Sequence, residues 1–215
     1  MAHRLPLFPL KLVLLPGSRL TLRLFEPRYL AMLDYCLKNK SSFGIVLVGD
    51  HTDELGTLAR VGCEARLLEY SAFDDGTFLV KVEGGARFRV RDISTHETPF
   101  FMGDTDPVHD DNELGQAQSS ALQSLDQLLE AYLSLIEDID PVLLQRLPPR
   151  QPDADPTFQA FEQIPLPDTT RQQVLETFSA RKRCELGALM LKKEIEKLRF
   201  LLSETDEDAQ SGQLN

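Results

Sequence analysis

The chain belongs to the α+β class, with residues 1–112 forming a small sheet and residues 113–202 a set of helices. Two observations predict this. Up to about residue 103 the apolar residues alternate with polar ones in short runs broken by turn residues; from about Leu114 they recur at helical spacing. A third observation bounds it: 215 residues allow one large domain or two small ones, each with enough apolar surface for a core.

In the first half, runs at 20–24, 43–48, 63–70, 77–82 and 87–93 read as strands. Leu22 and Leu24 alternate with Arg23, and Phe88 and Val90 with Arg87, Arg89 and Arg91, the period of a sheet with one wet face. Asp74-Asp75-Gly76 reads as a hairpin turn. One helix interrupts the strands: Pro27 suits its first turn, and Tyr29, Leu30, Leu33, Cys36 and Leu37 follow at helical spacing through about Lys38.

In the second half, Leu122, Leu125, Leu128, Leu129, Tyr132, Leu133 and Ile136 form one apolar stripe, which a proline-rich stretch at 148–156 ends. Asp168 is the expected N-cap of the next helix, which carries Val174, Leu175 and Phe178. The last helix carries a seam of coiled-coil type, Cys184, Ala188, Leu191, Ile195, Leu198 and Leu202. Leu186, Leu189 and Met190 widen its apolar surface, which favours packing inside the chain over a zipper; a monomer and a homodimer through this helix both stay open. Residues 203–215, with Glu204, Asp206, Glu207 and Asp208, have little to bury and are expected to be a disordered tail.

The net charge of -11 is uneven: residues 1–103 carry 13 Lys+Arg against 12 Asp+Glu, and residues 104–215 carry 10 against 22. An acidic second half argues against nucleic acid as a general partner. No apolar run is long enough to span a bilayer and the start lacks the regions of a signal peptide, so a cytoplasmic protein without membrane contact is expected. Cys36, Cys63 and Cys184 are far apart, without a C-x-x-C pair, and read as buried reduced thiols. No G-x-x-x-x-G-K-[ST] run is present to cradle a nucleotide.

Three motifs in order, Leu5-Pro6-Leu7-Phe8-Pro9-Leu10, Val13-Leu14-Leu15-Pro16-Gly17 and Leu24-Phe25-Glu26-Pro27-Arg28-Tyr29-Leu30, resemble the start of a Lon protease N-terminal domain. The segments Gly56-Thr57-Leu58-Ala59-Arg60-Val61-Gly62 and Val82-Glu83-Gly84-Gly85-Ala86-Arg87-Phe88-Arg89-Val90 resemble its later strands, and residues 172–178 and 181–202 its helical half. The resemblance implies a PUA-like β pseudo-barrel with one inserted helix, followed by a C-terminal α-helical bundle. It further implies a stand-alone, non-enzymatic module that binds unfolded or extended polypeptide segments, without cofactor or metal. The serine and lysine that cut substrate in that protease lie in a domain outside the resemblance, so no catalytic residue carries over.

Candidate contacts are Arg28 and Tyr29, within the Glu26-Pro27-Arg28-Tyr29 motif, and Phe100 and Phe101, which would form an apolar rim if Pro99-Phe100-Phe101-Met102 is a loop. Each has a structural reading beside it: helix-start geometry with a charge pair for the first two, core packing for the others. His3, His51, His96 and His109 are scattered singly and read as solvated; Asp104, Asp106, Asp110 and Asp111 lack EF-hand spacing and read as a solvated acidic loop. Cys63, in an expected strand, is a poor nucleophile. The alternative to polypeptide binding is RNA or nucleotide-derivative binding through the barrel, using Arg60, Arg66, Arg87, Arg89 and Arg91.

Overall fold

A computed structural model describes residues 3–49, 58–96, 98–111, 116–151 and 154–211, with 116–118 and 204–211 described in backbone only. The chain divides into two compact units: residues 1–110, 151–159 and 166–178 form the first, and residues 111–150, 160–165 and 179–215 the second.

The first unit contains six strands, β1 (His3–Leu10), β2 (Arg19–Leu24), β3 (Phe43–Leu47), β4 (Val61–Ala72), β5 (Phe78–Ser94) and β6 (Phe101–Val108), with helix α1 (Pro27–Asn39) between β2 and β3. Their order is β2-β5-β4-β3-β1-β6, and β6 pairs back onto β5. Five strands thus close a ring, while β2 hangs outside it on the first half of β5. The sheet is a pseudo-barrel with an arm, not a clean barrel. Inside the ring, Leu5, Leu7, Val46, Phe88 and Val90 form a core cluster. Residues of α1 join the core on one face of the helix, Tyr29, Met32, Leu33 and Cys36, at the spacing the sequence showed.

Several strands differ from the sequence reading. The opening motif is β1, a strand despite its two prolines. It pairs with β6 over His3 to Leu7 and with β3 over Leu7 to Leu10, so Pro6 and Pro9 each sit where a single neighbour pairs with the strand and the missing N–H can face the other side. The runs at 77–82 and 87–93 are one strand, β5, because Gly84-Gly85 is not a break. A Cβ on Gly84 would lie 2.0 Å from the Leu15 carbonyl oxygen, so the glycine serves close approach of the 14–18 segment, where Gly17 N–H donates to Gly84 O and Gly84 N–H to Ser18 O.

Phe101 and Met102 begin β6, not a loop, and the acidic run lies within and just after that strand. Asp104 and Asp106 face Arg4 and Arg91 on neighbouring strands, and Asp110 takes the guanidinium of Arg87. The expected turn at 74–76 is present: Gly76 has φ +78°, and the Asp75 carboxylate accepts from both Thr77 N–H and its hydroxyl.

Helix α4 (Pro156–Gln159) and helix α5 (Asp168–Glu176) complete the first unit. Asp168 is the first helical residue of α5 and not its cap, which is Pro167, because proline pre-sets the extended entry without a side-chain acceptor. Gln172 of α5 donates to the Val61 carbonyl of β4 at 3.0 Å. Arg87 is the larger surprise. It was expected on a wet face, yet it is 5% exposed, donating to the carbonyls of Leu175 at 2.9 Å and Thr177 at 3.0 Å, with its charge over the rings of Phe158 and Phe178.

The second unit contains α2 (Gln116–Ile139), α3 (Pro141–Arg146), a short 3-10 turn at 160–162, and α6 (Ala180–Ser211). The stripe of α2 is buried at Leu125, Leu129, Tyr132 and Ile136, and the seam of α6 at Cys184, Leu191 and Ile195. These two helices pack against each other within the chain. A Cβ on Gly187 would lie 2.8 Å from Leu125 Cδ1, and Glu194 lies close enough to Tyr132 to raise its pKa along with burial. The helix α6 is described to Ser211, and residues 212–215 of the expected tail lie outside the described residues. No helix of the described residues is long and apolar enough to cross a membrane.

Candidate functional site: a groove at the free edge of the sheet

Among the described residues β2 pairs only with β5, so its outer edge presents unpaired backbone groups. Beside that edge lies a groove of about 270 Å³. Its apolar wall is Phe8, Leu10, Leu22, Tyr29 and Val48, and its polar residues are Lys11, Arg23, Glu26 and Arg28.

The local sequence builds this groove in a few residues. Glu26 holds an extended conformation at the end of β2, and its carbonyl accepts from Tyr29 N–H at 2.9 Å and Leu30 N–H at 3.0 Å, starting α1. Pro27 occupies the first helical position, where a missing N–H costs nothing. The Glu26 side chain makes no cap; it accepts from Arg28 Nε at 2.9 Å instead. Arg28 lies over the Tyr29 ring at 4.6 Å, and that ring packs on Phe8 with centroids 4.1 Å apart. Phe25 points outward at the lip, 65% exposed, the most exposed large apolar side chain among the described residues of the first unit.

Of the residues singled out from sequence, Arg28 and Tyr29 line the groove together; Phe100 and Phe101 do not. Phe100 is buried, edge-on to Tyr35 with centroids 5.5 Å apart, and Phe101 is half-buried against the ring core. Phe25, Leu22, Arg23 and Lys11 were not singled out as contacts. The available signal was Leu24-Phe25, two consecutive apolar residues at a strand end, which alternation cannot bury on one face.

All three cysteines are buried free thiols. Burial raises the Cys36 thiol to about 11 and pushes Cys63 further up, so neither supplies a thiolate nucleophile near neutrality. His51 and residues 56–57 of the fourth family-like segment lie outside the described residues. The five arginines named for nucleic acid do not form an open track: Arg87 is buried, Arg66 pairs with Glu83 at 2.9 Å, Arg91 pairs with Asp106, and Arg89 stacks on Phe178 at 5.4 Å. A second cavity of about 320 Å³ contains Arg19 and Arg66, with Glu83 3.5 Å from the first and 2.9 Å from the second.

The described residues thus combine a mixed α+β fold, an unpaired sheet edge and an aromatic groove beside it. The sequence pattern of the substrate-binding domain of the ATP-dependent protease La (Lon) matches residues 4–193, and the chain belongs to that family. It is 24% identical over 201 residues to the Lon protease of Anaeromyxobacter dehalogenans, covering 90% of this chain and 24% of that protein. It is 26% identical over 136 residues to Lon protease 1 of Hydrogenovibrio crunogenus, covering 62% of this chain and 17% of that protein. The chain therefore spans about a quarter or less of the length of these relatives. Among solved structures, a Lon N-terminal domain protein from Xanthomonas campestris superposes with TM-score 0.62 at 28% identity, covering 86% of this chain and 96% of that one. The N-terminal domain of a Mycobacterium avium complex Lon protease shares the fold, with TM-score 0.67 at 17% identity over 88% of this chain and 98% of that one.

Proposed function

We propose that this chain is a non-enzymatic polypeptide-binding module of the cytoplasm, which takes unfolded or extended segments of other proteins into the groove beside β2. Arg28 and Tyr29 would serve as wall and floor and Phe25 as the lip. The observation that carries this is the coincidence of an exposed Phe25, an apolar groove and an unpaired strand edge in one place, within a family described by substrate binding. A folded protein hides its apolar side chains and pairs its strands, so a site offering both kinds of contact selects chains that are not folded. The chain has no phosphate-cradling loop, so its own part is binding.

The test is binding of one protein in two states, native and held unfolded by reduction and alkylation, measured by fluorescence anisotropy. Selective binding of the unfolded form, weakened at least fivefold by Phe25→Ser with unchanged circular dichroism, supports the reading. Equal binding of both forms, or of neither, overturns it.

A further inference from the structure

The arm formed by β2, β5 and β4 sorts its side chains by face. On β2, Leu20, Leu22 and Leu24 alternate with Arg19, Thr21 and Arg23. Across the β2–β5 pairing, Leu22 lies opposite Val80 and Leu20 opposite Val82, both valines fully buried, so the leucine face is the inner one. The arginine face is solvated, with Arg19 57% and Arg23 61% exposed. On that face Arg19 has Glu83 directly opposite on β5, whereas Arg23 has Leu79 opposite, and its carboxylate, Asp75 at 3.0 Å, comes from the hairpin turn.

Any strand added to the outer edge of β2 must continue both faces, because successive side chains of a strand point to opposite sides. Its residues on one side would meet Leu22 and the Tyr29 wall, and its residues on the other would meet Arg19 and Arg23. Opposite charges facing each other across strands are favourable and like charges unfavourable. The groove lining also brings Lys11 and Arg28 beside Glu26, with which Arg28 pairs at 2.9 Å. An added strand would have Arg19 and Arg23 as its direct cross-strand neighbours, while their carboxylates, Glu83 and Asp75, come from β5 and the turn before it.

We infer that the edge of β2 takes an extended polypeptide segment as an added strand, and that this segment alternates apolar with acidic residues. This rests on the polypeptide-binding reading above and deepens it. Backbone hydrogen bonds to the β2 edge would hold the segment, an apolar side chain would enter the groove beside Phe25, and carboxylates would lie against Arg19 and Arg23. The exposed ion pairs of Arg19 with Glu83 at 3.5 Å and of Arg23 with Asp75 at 3.0 Å are weak and exchange partners readily, so neither blocks an incoming carboxylate.

The test uses fluorescein-labelled seven-residue peptides with capped termini: alternating Val/Phe with Glu, the same alternation with Gln, the same with Lys, and a peptide of the Glu composition in which the acidic residues are blocked together. Affinity is expected in the order Glu, Gln, Lys, with about tenfold between the extremes at low salt, from two cross-strand charge contacts. The blocked peptide binds less tightly than the alternating one, and methylating alternate amides on the edge-facing side of the peptide abolishes binding. The double variant Arg19→Glu with Arg23→Glu, both exposed positions, reverses the Glu-over-Lys order while keeping its circular dichroism. If the Glu, Gln and Lys peptides bind equally, or the blocked peptide binds as well as the alternating one, this inference is overturned and polypeptide binding stands. If no peptide binds, both fall.

Discussion

Replacing Arg87 with methionine keeps the length and much of the volume of the side chain while removing every donor. In the folded chain Arg87 is 5% exposed and donates to Leu175 O at 2.9 Å and Thr177 O at 3.0 Å, besides its ion pair with Asp110. An acceptor left without its donor costs about 1–3 kcal/mol when buried. The Leu175 contact is buried and the Thr177 contact partly so, while the Asp110 side chain is 28% exposed and can rehydrate. Two carbonyls and a partly solvated carboxylate give a loss of about 4 kcal/mol, in the range of 3–5 for removing one partner of a buried pair. Against a total stability of about 5–15 kcal/mol that loss is large. In guanidinium chloride the midpoint read by circular dichroism is expected to fall by about 1 M, taking a slope near 4 kcal/mol/M. Hydrogen exchange would locate the effect: amides of α5, whose last turn and C-cap carry the carbonyls that Arg87 holds, lose protection before those of α2. Arg87→Lys, which keeps a charge but not the planar fork, falls between the two. A midpoint within 0.2 M of wild type (about 0.8 kcal/mol at that slope), with α5 protection intact, would refute the view that this one guanidinium ties residues 175–177 to the sheet.

Gly84→Ala is expected to cost about 3 kcal/mol, because its Cβ would meet the Leu15 backbone oxygen at 2.0 Å; Gly76→Ala, in open space but at φ +78°, is expected to cost about 1–2, and chemical denaturation of the pair separates steric from conformational cost. The Cys36 thiol has its folded pKa raised to about 11 from an ordinary 9.0, so its contribution is fully present below pH 9 and is lost as pH rises towards 11, where the unfolded thiol ionises first; urea titrations from pH 8 to 11 should show a slope that Cys36→Ala reduces. Phe25→Ser, at a position 65% exposed, is expected to leave the urea midpoint unchanged within about 0.5 kcal/mol, so that any loss of client binding reads as function.

Most of the local structure was legible in the residues. Helix α1 follows from Pro27 and the spacing of Tyr29, Leu33 and Cys36, and the buried stripes of α2 and α6 fall on the residues their periods mark. The 74–76 turn follows from Asp75 and Gly76. The fold class followed from the change of period near Leu114, and the family-like motifs, in one order from Leu5 to Leu202, agreed with it. What local pattern misread were residues whose role is set by a neighbour distant in sequence. Gly84-Gly85 separates two runs until Leu15 is seen against it, and residues 5–10, with their two prolines, are not among the strand runs until β6 and β3 are seen to pair with different halves. Arg87 shares the alternation of Arg89 and Arg91, and nothing in that period says that Leu175 and Thr177, some 90 residues on, bring carbonyls to it.

The candidate site divides in the same way. Its materials, Glu26-Pro27-Arg28-Tyr29 with Leu24-Phe25 before them, could be read from the sequence, because a strand end, a helix start and an aromatic wall are decided within a few residues by backbone chemistry. That Phe8 from β1 supplies the other wall, that β2 is left without a second partner, and that Phe100 is buried while Phe25 is exposed were decided only by how the strands close. Strand order depends on pairings between residues far apart in sequence, and a two-residue period states which face a side chain takes without stating which edge stays open.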